Sequence, residues 1–130
     1  MAEVLLLNGQ SGRYWIDLLQ RAVRNLGGTL IVLDWRDARP EAWAGHDLII
    51  LDASVVGDLA STIRTIRAFD PLVRIVVVSP TPHWKQARET LVAGGTDYVK
   101  KAEDETELVG ILRESLARAP SARWISQAGS

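Results

Sequence analysis

The chain alternates short apolar runs with longer stretches of helical spacing. The runs are residues 4–7, 30–33, 48–51 and 75–78, with a weaker one at Tyr98-Val99. They are rich in Val, Ile and Leu, and polar residues do not alternate with the apolar ones. Strands buried on both faces read this way, and a parallel sheet covered by helices needs such strands. Between the runs the apolar period lengthens. Trp15, Leu18, Leu19, Ala22, Val23 and Leu26 form one helical stripe, which Gly27-Gly28 ends. Leu59, Ala60, Ile63 and Ile66 form another, closed by Asp70-Pro71. A helix is expected over residues 84–93, stopped by Gly94-Gly95, and a last one carries Leu108, Ile111, Leu112 and Leu116. Only residues 37–45 separate the second and third runs, which leaves room for one short helix started by Pro40.

This pattern predicts a (βα)5 α/β protein with a stunted second helix. Right-handed crossovers with helices on both faces give a three-layer α/β/α sandwich around a doubly wound parallel sheet. For five strands the expected order is 2-1-3-4-5, with the ligand crevice between the first and third strands. Asn8-Gly9 and Asp52 then face each other across that crevice. One domain is expected over residues 1–118, followed by a tail or linker stub over 119–130.

Composition narrows the function classes. The 130 residues fit one ordinary domain. Fifteen basic residues balance sixteen acidic ones, which is not the charge of a nucleic-acid binder. There are no cysteines, so thiol nucleophiles, redox dithiols and Cys-type zinc sites are excluded. No apolar run approaches the roughly 18–20 residues that span a membrane. Ala2-Glu3 leads straight into a strand without the pattern of a signal peptide. A soluble cytoplasmic domain without nucleic-acid or membrane partners is expected.

Candidate chemistry gathers at strand ends. Asp52 closes the run Leu48-Ile49-Ile50-Leu51, so it falls at the carboxyl edge of the sheet, where α/β folds place their sites. Its plain alternative is a carboxylate that starts a turn. Gly9-Gln10-Ser11-Gly12 has the context of a phosphate-cradling loop, but lacks the full glycine fingerprint and the Lys-Ser/Thr of a P-loop. Its plain reading is a loop in which Ser11 caps the first helix. His46 and His83 make no metal or triad spacing and are expected in loops or on the surface. Of the five tryptophans, Trp15 and Trp84 are expected to face the core. Trp35 and Trp43 are expected to cover sheet that a longer second helix would protect. Trp124 is expected to dock on the body, the alternative being an anchor for a partner or a second copy.

Together these residues make the chain resemble the receiver domain of two-component response regulators, the CheY-like version of the flavodoxin-like fold, over about residues 3–118. Asp52 matches the phosphoacceptor position of that family. Ser79, after Ile75-Val76-Val77-Val78, matches its hydroxyl switch residue. Lys101, at the end of Gly94-Gly95-Thr96-Asp97-Tyr98-Val99-Lys100-Lys101, matches its lysine, and Tyr98 its aromatic switch. The resemblance implies that Lys101 and Ser79 bind phosphoryl oxygens on Asp52 while the Tyr98 ring moves in response.

The departures bear on metal chemistry. The family ends its first strand in two acids that hold Mg²⁺ with the phosphoacceptor. Here those positions are Asn8 and Gly9, so only Asn8 and Asp52 offer side-chain ligands and Mg²⁺ binding is expected to be absent or weak. Ala53-Ser54-Val55-Val56-Gly57-Asp58 stands where the family has a Met-Pro pair and then Asp-Gly, and Ala102 stands where it has a proline. With few acids nearby, Lys101 is expected to pair with Asp52 directly, as a fixed internal cation. The expectation is a degenerate or pseudo-receiver, not an enzyme, alone or as part of a longer regulator. It presents the face around Tyr98, Lys100 and the last helix to a histidine kinase, a phosphotransfer protein or an output domain, with a homodimer as a further option. The alternatives are a conventional phosphoryl-accepting receiver using Asp52, and a flavodoxin-like small-ligand or nucleotide binder using Gly9-Gln10-Ser11-Gly12.

Overall fold

Five parallel strands form one sheet: β1 (Glu3–Asn8), β2 (Thr29–Asp34), β3 (Leu48–Asp52), β4 (Arg74–Ser79) and β5 (Asp97–Lys100). Their order is β2-β1-β3-β4-β5, as the crossover argument predicts. The helices are α1 (Arg13–Asn25), α2 (Pro40–Trp43), α3 (Leu59–Phe69), α4 (Trp84–Ala93) and α5 (Glu105–Ala117). The computed structural model describes residues 2–8, 12–36, 39–43 and 45–118, with the backbone alone at Asn8 and Pro40. The Gly9-Gln10-Ser11 stretch, with its expected cap Ser11, and the 119–130 segment with Trp124 lie outside the described residues.

Side-chain alternation along the central strands builds two cores. Val4, Leu6, Ile50 and Val76 point to one face and pack with Trp15, Leu19, Leu108 and Leu112 of α1 and α5. Leu5, Leu7, Ile49 and Ile75 point to the other and pack with Ile63 and Ile66 of α3. The period of two within a strand makes this division, and it fixes the strand register. Each fully buried Leu or Ile stabilises the fold by roughly 1.5–3 kcal/mol.

Local signals start and stop the helices. The Asp58 carboxylate caps α3 by accepting from the Ser61 N–H at 3.0 Å, and Asp104 caps α5 through the Glu107 N–H at 2.8 Å. Gly94, at φ 113°, ends α4 in the left-handed conformation that favours glycine. Arg67 ties the ends of α3 and α4 together. Its guanidinium donates to the carbonyls of Gly94, Asp70 and Val73, and burial lowers its pKa.

Two expectations fail. β2 is not buried on both faces: Ile31 and Val32 are 40% and 39% exposed. It is an edge strand, and on the Ile31 face the four-residue α2 covers too little of it. Trp43 is buried and Trp35 packs half-buried on the α3 side, yet Ile31 stays open. Trp84 does not face the core either; it is 68% exposed at the first position of α4, stacked beside His83. The residues that α4 buries are Thr90 and Ala93, so its inward face is small and polar and its large side chains point out.

Candidate functional site

Strands β3, β4 and β5 end together, and their backbones stay joined past the last ladder positions. The Ala53 N–H donates to the Val78 carbonyl at 2.9 Å, and the Lys101 N–H to the Ser79 carbonyl at 2.8 Å. These bonds bring Asp52, Ser79 and Lys101 to one edge of the sheet. The alternation that builds the two cores then sorts their side chains. Asp52 continues the Leu48 and Ile50 series toward α1 and α5, whereas Ser79 continues the Ile75 and Val77 series toward α3 and α4.

On the α1 and α5 face, Asp52 is fully buried, and both of its carboxylate oxygens accept hydrogen bonds. Oδ2 receives the Lys101 ammonium at 2.8 Å. Oδ1 receives the Ser54 hydroxyl at 2.6 Å and the Ser54 N–H at 2.9 Å. The second of these is the two-residue turn bond expected of an aspartate after a strand. Asp52 therefore starts a turn with one oxygen and holds a cation with the other. An ionised carboxylate taken wholly out of water needs such donors, because desolvation costs several kcal/mol that only close partners offset.

Lys101 is held from a second side. Its ammonium lies 4.9 Å from the centroid of the buried Trp15 ring, within the ~6 Å reach of a cation–π contact. The Trp15 Nε1 is itself buried with no hydrogen-bond partner. Carboxylate, ammonium and indole thus follow one another from β3 to α1.

On the opposite face the contacts are between neutral groups. The Ser79 hydroxyl is buried and accepts from the Thr81 N–H at 3.3 Å. The Tyr98 hydroxyl donates to Gln86 Oε1 at 2.7 Å and accepts from the His83 N–H at 3.2 Å. These bonds fasten the Tyr98 ring to the start of α4. His83 caps that helix through its ring nitrogen, and His46 bonds the Ala42 carbonyl at 2.9 Å.

The donor set does not fit Mg²⁺ of the usual kind. That ion takes oxygen ligands in near-octahedral geometry, usually with one or two carboxylates. Asp52 supplies one carboxylate, already bonded through both oxygens. No cluster of three acids or histidines able to hold a metal occurs among the described residues. Asn8 ends β1 opposite β3, and its side chain lies outside the described residues.

Sequence reasoning missed two contributors. Ser54 carried a signal, since an aspartate followed two residues later by a hydroxyl is a turn pair. Trp15 read only as core, because its meeting with Lys101 depends on where α1 sits relative to the segment after β5.

No protein-family model matches the chain. No curated protein matches it in sequence. Solved structures do match in fold. A response regulator from Thermotoga maritima superposes with a TM-score of 0.75 at 19% identity, over 91% of this chain and 99% of that one. A two-component response regulator from Clostridium difficile gives 0.75 at 20%, over 91% and 98%. The chemotaxis response regulator CheY4 of Vibrio cholerae gives 0.74 at 18%, over 88% and 98%. The fold of this chain is that of the response-regulator receiver domains.

Proposed function

We propose that this chain is a receiver-type signalling domain that works through protein contacts, with its acceptor aspartate held by an internal cation. One observation carries the reading: the buried Asp52 carboxylate is bonded through both oxygens, by Lys101 on one side and Ser54 on the other. A phosphoryl donor must approach in line with a free oxygen, and its equatorial charge must be neutralised. Lys101 serves that purpose in the resemblance, but here its charge is spent on Asp52 and shared with Trp15. The face around Tyr98, Lys100 and α5 meets a protein partner: a kinase, a phosphotransfer protein, an output domain or a second copy. Lys100 is exposed there, and Tyr98 links that face to α4. No described helix is long and apolar enough to cross a membrane, which fits such a role.

Incubation with acetyl phosphate and Mg²⁺, followed by mass spectrometry of the intact protein and its peptides, tests the reading. No phosphoryl gain at Asp52 is expected. A stoichiometric gain there overturns it in favour of a conventional phosphoryl-accepting receiver. That second reading is favoured by the meeting of Asp52, Ser79 and Lys101 at one sheet edge. The nucleotide-binding alternative rests on Gly9-Gln10-Ser11-Gly12, of which only Gly12 lies among the described residues.

A further inference from the structure

The sheet has two edges, β2 and β5, and they are built differently. β5 is four residues long and carries Asp97 and Lys100 at its ends, with Arg118 paired to Asp97 at 3.3 Å. Short length and charge are usual devices that keep a sheet edge from pairing with another chain. β2 has neither. It runs six residues, and Thr29-Leu30-Ile31-Val32-Leu33 holds no charge and no proline before Asp34.

The ladder with β1 shows which backbone groups of β2 are already used. The Thr29 N–H donates to the Ala2 carbonyl at 2.9 Å, so Thr29, Ile31 and Leu33 turn their polar groups toward β1. Backbone groups alternate sides along a strand, so Leu30, Val32 and Asp34 turn theirs outward. Among the described residues no backbone bond reaches these three from the outer side. Exposed apolar side chains flank the row on both faces of the sheet. Ile31 lies beside Leu5 on the α3 face, and Val32 beside Leu6 on the α1 face.

We propose that β2 is a self-pairing edge, through which two copies of this chain join antiparallel into one ten-stranded sheet. A two-fold axis perpendicular to the sheet keeps each helical layer on its own side, and a strand that meets its own copy about such an axis is antiparallel. With the axis at Val32, that residue exchanges both N–H···O=C bonds with Val32 of the copy. Leu30 does the same with Asp34 of the copy, and Asp34 with Leu30. Every outward group of the strand is then bonded. The same register sets Val32 against its counterpart on the α1 face and Ile31 against Leu33 of the copy on the α3 face, apolar against apolar. The bonding row and both flanks are thus complementary to themselves, which makes a second copy the occupant. One pair of strands buries less than the ~800 Å² per partner of a stable interface, so the affinity is weak, on the order of 0.1 mM. This surface is at the opposite edge of the sheet from Tyr98 and Lys100, and the inference does not rest on the function proposed above.

The test is amide hydrogen exchange of the full chain, followed by NMR, with sedimentation over the same concentrations. Between about 20 μM and 2 mM, exchange at Leu30, Val32 and Asp34 should slow about fivefold, as outward N–H groups become bonded. Ile31 and Leu33, bonded to β1 at either concentration, should change less. Sedimentation should show a monomer passing to a dimer. Val32→Pro removes an outward N–H and leaves the β1 ladder whole, so the variant should fold and stay monomeric. Ile31→Lys places a charge on the edge and should do the same. A wild-type chain that stays monomeric at the higher concentration overturns the proposal and leaves the edge to a strand of another protein. A dimer that slows exchange elsewhere but not at Leu30 and Val32, or one that persists in both variants, also overturns it. If either variant fails to fold, the alternating exchange pattern of the wild-type chain still decides.

Discussion

The two faces of the sheet edge are built from different interactions. Toward α1 and α5, a fully buried carboxylate, an ammonium and an indole ring are locked in sequence. Toward α3 and α4, Ser79 and Tyr98 are held by hydrogen bonds between neutral groups, beside an exposed α4 N-terminus. Interactions of buried charge are the costlier ones to break, because the group left behind is desolvated. The first face therefore resists change, and the second can rearrange for about the energy of one or two hydrogen bonds. Tyr98 and the start of α4 can therefore rearrange without disturbing Asp52.

The sharpest way to break this comparison is to remove the cation. Lys101→Ala takes away the charged partner of a buried carboxylate and should cost about 3 kcal/mol in urea unfolding, near the low end for such pairs because Lys101 is 19% exposed. Adding Asp52→Asn should restore most of that loss, since no buried charge then remains at the position. A Lys101→Ala loss below about 0.5 kcal/mol, within the range of ordinary surface changes, would mean that the pair does not hold the edge.

Ser54→Ala comes next. It deletes the 2.6 Å hydroxyl bond to Asp52 but keeps the backbone bond from Ser54 N, so about 1.5 kcal/mol should be lost. Stability equal to wild type would show that water replaces the hydroxyl and that this oxygen is open to other ligands. On the opposite face, Tyr98→Phe removes the bonds to Gln86 and His83 and should cost about 1 kcal/mol. Amide exchange should quicken at His83 and through the first turn of α4, with the Lys101 ammonium signal unmoved. Movement of that signal would join the two faces into one unit.

Much of this arrangement can be read from the chain itself. Unbroken Val, Ile and Leu runs set the central strands, and three polar residues at run ends had to meet at one edge once the strands were parallel. The pairing of Lys101 with Asp52 was legible because a buried acid without acidic neighbours needs a cation. The division between faces was latent in the same alternation but needed the ladder to fix each residue's parity. Other features depend on packing that no local pattern encodes. Trp84 was misplaced because α4 buries Thr90 and Ala93, so apolar periodicity points away from its inward side. The openness of Ile31 depends on how much sheet a four-residue helix can cover. Trp15 reads as core in any helical stripe, and its contact with Lys101 is a matter of where α1 sits beside the segment after β5.

The smallest effect is expected at a third charge on this edge. Asp34 ends β2 and pairs with Arg36 at 3.0 Å, as Asp52 pairs with Lys101, but it is partly exposed on the edge strand. The side-chain hydrogen bonds from Arg36, helped by its backbone N–H, hold the Asp34 carboxyl below the ordinary carboxylate range. A carboxyl whose folded pKa is depressed adds stability above its unfolded pKa and loses it as pH falls through the folded value. The acid limb of the stability curve should therefore contain a contribution from Asp34 that disappears below the usual aspartate range. Arg36→Ala should move the Asp34 titration, followed by its carboxyl carbon signal, up toward the ordinary value, because the backbone bond from residue 36 remains. Moderate salt should weaken the shift, because exposed charges are screened and the buried pair is not. An Asp34 midpoint that ignores both Arg36→Ala and salt would remove this pair as the exposed counterpart of Asp52 and Lys101. It would then take burial, rather than pairing, to set apart the two sides of the site.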